Sequence, residues 1–162
     1  MNLDTIFQDV EKKFVIRRDV DFDDLDIHIT LQTPSTDEEL KITEACSDFD
    51  GASYIDQLKT HSVAMSIRRI NTVEFKTDEV EYDDENGEKQ KKSRFLFLLE
   101  KVKKWPGPIK EKLFEIYTNM HEELEDKINK SAKFEHFQVA SAPAEEEKDE
   151  SEFREVKEAP AG

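Results

Sequence analysis

A chain of 162 residues with 36% hydrophobic content is the size of one domain and can build one modest core, not two. Charged residues make up 39% and the mean hydropathy is −0.80, so part of the chain is expected to stay solvated. The net charge of −15 repels nucleic acid and anionic membrane surfaces, which removes both as main partners and favours a basic or hydrophobic protein instead.

Leu3, Ile6, Phe7, Val10 and Phe14 recur at i, i+3, i+4, i+7, which predicts a short amphipathic helix over residues 2–14 with Asn2 or Asp4 as its cap. The start Met1 to Phe7 lacks the charged opening and apolar core of a signal peptide, and no apolar run approaches the roughly 20 residues of a membrane helix. Next comes the acidic run Asp19, Asp21, Asp23, Asp24, Asp26, read as a solvated loop or an acidic docking edge. Leu25, Ile27, Ile29 and Leu31 then alternate with Asp26, His28 and Thr30, the period of a half-buried strand.

In Thr33-Pro34-Ser35-Thr36-Asp37-Glu38-Glu39 a hydroxyl is followed three residues later by Glu, a helix start in which side chains satisfy free backbone amides. The predicted helix runs from about Thr36 to Cys46 and ends at the Asp48-Phe49-Asp50-Gly51 turn. From Ser53 the positions Tyr54, Ile55, Leu58, Met65, Ile67 and Ile70 keep helical spacing, which extends a second helix through Arg69. Thr72–Phe75 and Val80–Tyr82 are short strand candidates, and Asn86-Gly87 marks a tight turn, so this stretch is either a small hairpin or a charged loop.

Phe95 to Leu99 has the highest apolar density of the chain, and a helix from Ser93 toward Trp105 is expected to be the most buried element. At the elbow Trp105-Pro106-Gly107-Pro108 each proline disfavours helical geometry in the residue before it, so that helix stops near Trp105 and Pro108 suits the first turn of the next. Ile109, Leu113, Ile116, Tyr117, Met120, Leu124 and Ile128 form a stripe of more than five turns on a long helix over 108–136. Its outer half is expected to overhang the body and offer Ile116, Met120, Leu124 and Ile128 to a partner. The acidic, low-complexity stretch 139–162 reads as a disordered tail. The fold class is therefore α+β, mostly α, with a small antiparallel sheet, packed helices, one domain over 1–138 and that tail.

No motif carries recognisable chemistry. Counting Asp19 as the first position of a calcium loop places Asp24 where a glycine is needed and Thr30 where a bidentate Glu belongs. His28, His61, His121 and His136 include no pair at i, i+4 to share a metal. Cys46 is the single cysteine, which excludes an intramolecular disulfide, fits a reducing compartment, and sits near Glu44 and Asp48, which raise rather than lower a thiol pKa. There is no glycine-rich phosphate loop. The basic patch Lys89, Lys91, Lys92, Arg94 lies beside Phe95 and Phe97, which read as core rather than as base-stacking platforms. No catalytic residue, metal or cofactor is expected. Charge is unevenly spread: Asp19 to Asp50 holds eleven acids against Lys41, and Lys91 to Lys112 holds eight bases against Glu100 and Glu111, a dipole that can steer docking.

Two stretches together resemble a known family. Leu58 to Asn71, with a leucine, small residues and then an Ile-x-x-Ile-Asn turn into a strand, is similar to tail assembly chaperones and related baseplate (hub) assembly proteins of tailed bacteriophages. So is Phe97 to Tyr117, with a helix, a Trp-Pro elbow and a Leu-x-x-x-Tyr helix. In that family an N-terminal strand region like Leu25 to Leu31 precedes them, and the likeness covers roughly residues 20–130 in order of elements. The resemblance implies a non-enzymatic morphogenesis protein that binds an unassembled tail protein, commonly the tape measure, in the host cytoplasm. It carries over no catalytic residue. A structural component of the tail or baseplate, retained in the virion, is the alternative, and the oligomeric state stays open. An acidic adaptor that binds a host DNA-binding protein is a second.

Overall fold

The computed structural model describes residues 2–132; the predicted tail over 139–162 and the last turn of the predicted long helix lie outside them. The fold is α+β and mostly α. Among the described residues five α-helices accompany a four-stranded sheet and a separate two-stranded hairpin.

Helix α1 (Leu3–Lys13) is capped by Asn2, whose side chain accepts from the Asp4 amide. Strand β1 (Arg17–Phe22) follows, so the first half of the acidic run is neither a loop nor free: Val20 and Phe22 point into the core and Asp19 and Asp21 to the other face. Asp23–Leu25 is a single 3₁₀ turn and Asp26 adopts φ 50°, which confines β2 to Ile27–Gln32 and leaves Leu25 exposed. The two strands pair antiparallel with Val20 opposite Ile29. Their polar face is laced by Thr30 Oγ1 donating to Asp19, Arg69 bonded to both, and His28 Nδ1 on Asp21. One face of the sheet is thus solvated and the other packed, the usual division in an antiparallel sheet.

Helix α2 (Thr36–Cys46) starts with the expected reciprocal cap: Ser35 Oγ accepts from the Glu38 amide, and Glu38 accepts from the Ser35 amide. Helix α3 (Gly51–Ser66) stops three residues earlier than its apolar spacing suggests. Ile67–Ile70 is strand β3, pairing Leu31 with Ile67 and Ile29 with Ile70. Ile67 and Ile70, three apart, keep helical spacing; β-branching favours a strand, and a register shift at Thr30/Leu31 lets them pair with Leu31 and Ile29. Asn71 makes the turn at φ 51°, its backbone bonded to the His28 carbonyl and its side chain to the His28 amide. β4 (Val73–Glu74) closes the sheet in the order β1-β2-β3-β4.

The two strand candidates after Asn71 do not pair with each other. β5 (Glu79–Asp83) pairs instead with β6 (Lys89–Ser93), around the turn at Gly87, where φ is +78°. β6 escapes sequence reading because Lys-Gln-Lys-Lys-Ser has no apolar alternation. Ser93 then caps α4 (Arg94–Val102), and α5 (Gly107–Ser131) begins within the elbow, with Pro108 in its first turn and the Pro106 carbonyl accepting from Ile109 and Lys110. Trp105 packs against the core at that joint.

The longest buried run among the described residues lies in α3, where every residue from Thr60 to Ser66 is buried; α4 buries Arg94, Leu98, Leu99 and Val102 and exposes Leu96. Small residues at Ser62, Ala64 and Ser66 let α2, α4 and α5 close around this helix, and their low hydrophobicity hides its centrality from sequence. Val63, Ala64 and Ile67 meet Ile29, Leu31, Leu98, Val102, Leu113 and Met120 in one cluster, and Ile42, Cys46 and Met65 form a smaller one.

Candidate partner-binding groove

Helix α5, 25 residues and about 37 Å long, lies along the body as far as Leu124, and every residue from Glu125 to Ser131 is exposed. Of the four positions expected to face a partner, Met120 is 1% exposed and belongs to the core, and Ile116 and Leu124 pack partly buried against that core. Only Ile128, 41% exposed, remains open. The cause is the approach of β1 and α1: Arg18 pairs with Glu123, and Lys127 Nζ donates to the Lys13 carbonyl at 3.0 Å. The elbow residues Trp105, Pro106, Gly107 and Pro108 set the direction of α5 and line none of the grooves described below.

The apolar surface lies at the other end of the chain. Helix α1 has no buried residue, and Leu3, Ile6, Phe7, Val10 and Phe14, which its spacing places on one face, are all exposed, Leu3 by 68% and Phe7 by 63%. Val10 and Phe14 open into a groove of about 650 Å³ whose opposite wall is Leu124 and Ile128 of α5. Its floor is the pair of links before β1 and after β2. There the Thr33 amide donates to the Ile16 carbonyl at 3.0 Å, and the Ile16 amide donates to Thr33 Oγ1 at 3.1 Å, with Pro34 buried beside them. The remaining wall is the start of α2.

The charges on this groove have one sign. Glu11, Asp37, Glu38 and Glu39 line it, and no lysine or arginine does. Glu38 is neutralised by Arg68 and Arg94, and Glu39 lies 3.6 Å from His121. Glu11 and Asp37 are exposed and have no cationic partner among the described residues.

Glu38 is the hinge between the groove and the fold. Besides capping α2, its carboxylate accepts two hydrogen bonds from Arg68 Nη2, at 3.0 and 2.9 Å, and one from Arg94. Arg68 and Arg94 are both buried; burial, then the neighbouring Arg94, push the Arg68 guanidinium below its ordinary value against the pull of Glu38. A depression of about 500 Å³ lies on the far side of this cluster, lined by Lys41, Glu44, Met65, Asp78, Arg94 and Phe95. It is smaller, and Glu38 already engages its buried cation.

The other sequence candidates are dispersed. Lys91 pairs with Glu81 and Lys92 with Glu100, and Arg94 is buried, so of the basic patch Lys89 and Lys91 stay exposed and Lys91 is already paired. Phe97 packs on Phe75 and Tyr82, and Phe95 on His61. His28 is raised in pKa, chiefly by its hydrogen bond to Asp21, and His61 is lowered by burial. The Cys46 thiol is pushed up by burial rather than by the acids near it in sequence. Among the described residues no three His, Cys, Asp or Glu side chains come together as a metal site, and no helix is long and apolar enough to cross a membrane. Comparison with protein-family models, curated proteins and solved structures gives no match.

The periodicity of residues 2–14 reveals an apolar face but not that the face stays uncovered. The Arg68–Glu38–Arg94 cluster had no signal, because its members stand 30 and 56 residues apart along the chain.

Proposed function

We propose that the chain is a non-enzymatic protein-binding module that shields an apolar segment of a partner, in the manner of a phage tail assembly chaperone acting on an unassembled tail or tape-measure protein. The observation that carries the binding role is α1. A helix of 11 residues draws little stability from its own hydrogen bonds, since isolated helices shorter than about 12–15 residues are marginal in water. This one nevertheless presents five large apolar side chains to solvent, and contiguous exposed apolar surface marks an interaction site more often than it is left idle.

The chaperone form of the reading rests on the resemblance at Leu58–Asn71 and Phe97–Tyr117. The order of elements is compatible with it: β3 passes through the Asn71 turn into β4, and α4 leads through the Trp-Pro elbow into α5. Co-expression with a phage tape-measure protein as candidate client is expected to raise that protein's soluble yield. An unchanged yield refutes the chaperone. Mass spectrometry of purified particles separates it from a structural role, since a chaperone is absent from them and a tail component is present in fixed copy number.

A further inference from the structure

We infer that the groove between α1, α5 and the start of α2 takes a basic amphipathic helix: an apolar ridge flanked by lysine or arginine. The inference rests on the protein-binding reading above and names the chemistry of the partner segment. Two features of the groove select that occupant. Its walls, Val10, Phe14, Leu124 and Ile128, are aliphatic and aromatic and stand open on one side, continuous with Leu3, Ile6 and Phe7 along the outer face of α1. An apolar ridge at i, i+3, i+4, i+7 spacing covers such a strip, as in helix-in-groove recognition.

The rim supplies the sign. Glu11 stands on the α1 side and Asp37 on the α2 side, with Glu39 behind it, and no lysine or arginine lines the groove. A glutamate-flanked ridge meets like charge on two sides, whereas a lysine-flanked ridge exchanges solvent contact for two carboxylates. Charge at an interface rim chiefly sets partner choice and association rate, so the acids select among apolar helices rather than supply the bulk of the affinity. The net charge of −15 adds a general attraction for cations, and the test must separate it from the rim.

The probes are two peptides of about 18 residues with leucines at helical spacing, one carrying lysine and the other glutamate at every remaining position. Binding to the full chain is followed by titration calorimetry and by amide chemical shifts. The lysine peptide is expected to bind at least about tenfold more tightly than the glutamate peptide, with shifts at Val10, Phe14, Leu124 and Ile128. Glu11→Gln with Asp37→Asn is expected to weaken it several-fold, about threefold to tenfold for two exposed charges. Glu85→Gln with Glu88→Gln, which removes the same charge at the β5–β6 turn, leaves it unchanged. Equal affinity for both peptides, equal weakening by both double variants, shifts confined to other surfaces, or no binding of the lysine peptide each overturns the inference. These outcomes are independent of the co-expression result. Peptide selection without client rescue places a different basic helix in the groove, and rescue without peptide selection places the client elsewhere.

Discussion

Replacing Glu38 by glutamine removes the carboxylate that Arg68 and Arg94 share. The side chains of Arg68 and Arg94 are 10% and 8% exposed and that of Glu38 is 16%, so water cannot take over the missing charge. Breaking a buried pair by deleting one partner costs about 3–5 kcal/mol, because an uncompensated charge is left behind. Here two guanidinium groups are left facing each other, which puts Glu38→Ala near about 5 kcal/mol. Glu38→Gln keeps an acceptor and the half of the cap that receives the Ser35 amide, and belongs near about 3 kcal/mol. Either loss is large against a total stability of roughly 5–15 kcal/mol. The assay is urea unfolding followed by circular dichroism, with Glu39→Gln as the neighbouring control. Glu39 is 45% exposed and faces a histidine at 3.6 Å, so its replacement costs less than about 1 kcal/mol. A Glu38→Gln protein within about 1 kcal/mol of wild type refutes the reasoning that a dry, shared carboxylate joins α2, β3 and α4.

Along α5, Leu113→Asp and Met120→Asp are both expected to unfold the domain, since both side chains are at most 1% exposed and an unpaired buried charge has no compensation. Ile128→Asp is expected to leave the melting temperature within about 2 °C of wild type, as for most surface changes, while abolishing partner binding; thermal melts of the three variants check this. His61 is buried, with Nδ1 donating to the Gln57 carbonyl at 2.7 Å, and burial lowers its pKa. The unfolded chain therefore binds this proton near pH 6.5 while the folded chain does so only at lower pH. Its contribution is lost as pH falls below about 6.5, and urea titrations at pH 7.5 and 5.5 are expected to show a smaller drop for His61→Gln than for wild type. His28 has the opposite sign, because its raised pKa stabilises the protonated form and that contribution fades as pH rises; the His61 variant isolates one from the other. The buried Cys46 thiol is expected to react with a thiol reagent at the rate of global unfolding, faster only in denaturant.

What sequence could reveal was local. The α2 cap, the strand around Ile29 and Leu31 and the elbow at Trp105–Pro108 are written in adjacent residues, where a hydroxyl, a period or a proline acts within one turn. β1 was hidden because its two apolar residues, Val20 and Phe22, alternate with aspartates that look like a loop until Arg69, Thr30 and His28 arrive from other strands. The helix–strand junction at Ile67 was hidden because Ile67 and Ile70 keep the helical period, and only a register shift in the pairing with β2 fits them to a strand. The exposure expected of the α5 stripe failed for a related reason: amphipathic spacing states that a face is apolar, and tertiary packing alone states what covers it. In α5 that cover is α3 and β1. In α1 the described residues provide it only beside Val10 and Phe14.

The central claim is that the α1 face and the groove it opens form the partner surface. It is tested most directly by co-expressing a candidate client, a phage tape-measure protein, with wild-type chain and with Phe7→Asp, a change at a residue 63% exposed that is expected to leave the fold intact. The account predicts that wild type raises the soluble yield of the client and that Phe7→Asp, with an unchanged melting temperature, does not. A Phe7→Asp chain that rescues the client as well as wild type contradicts it.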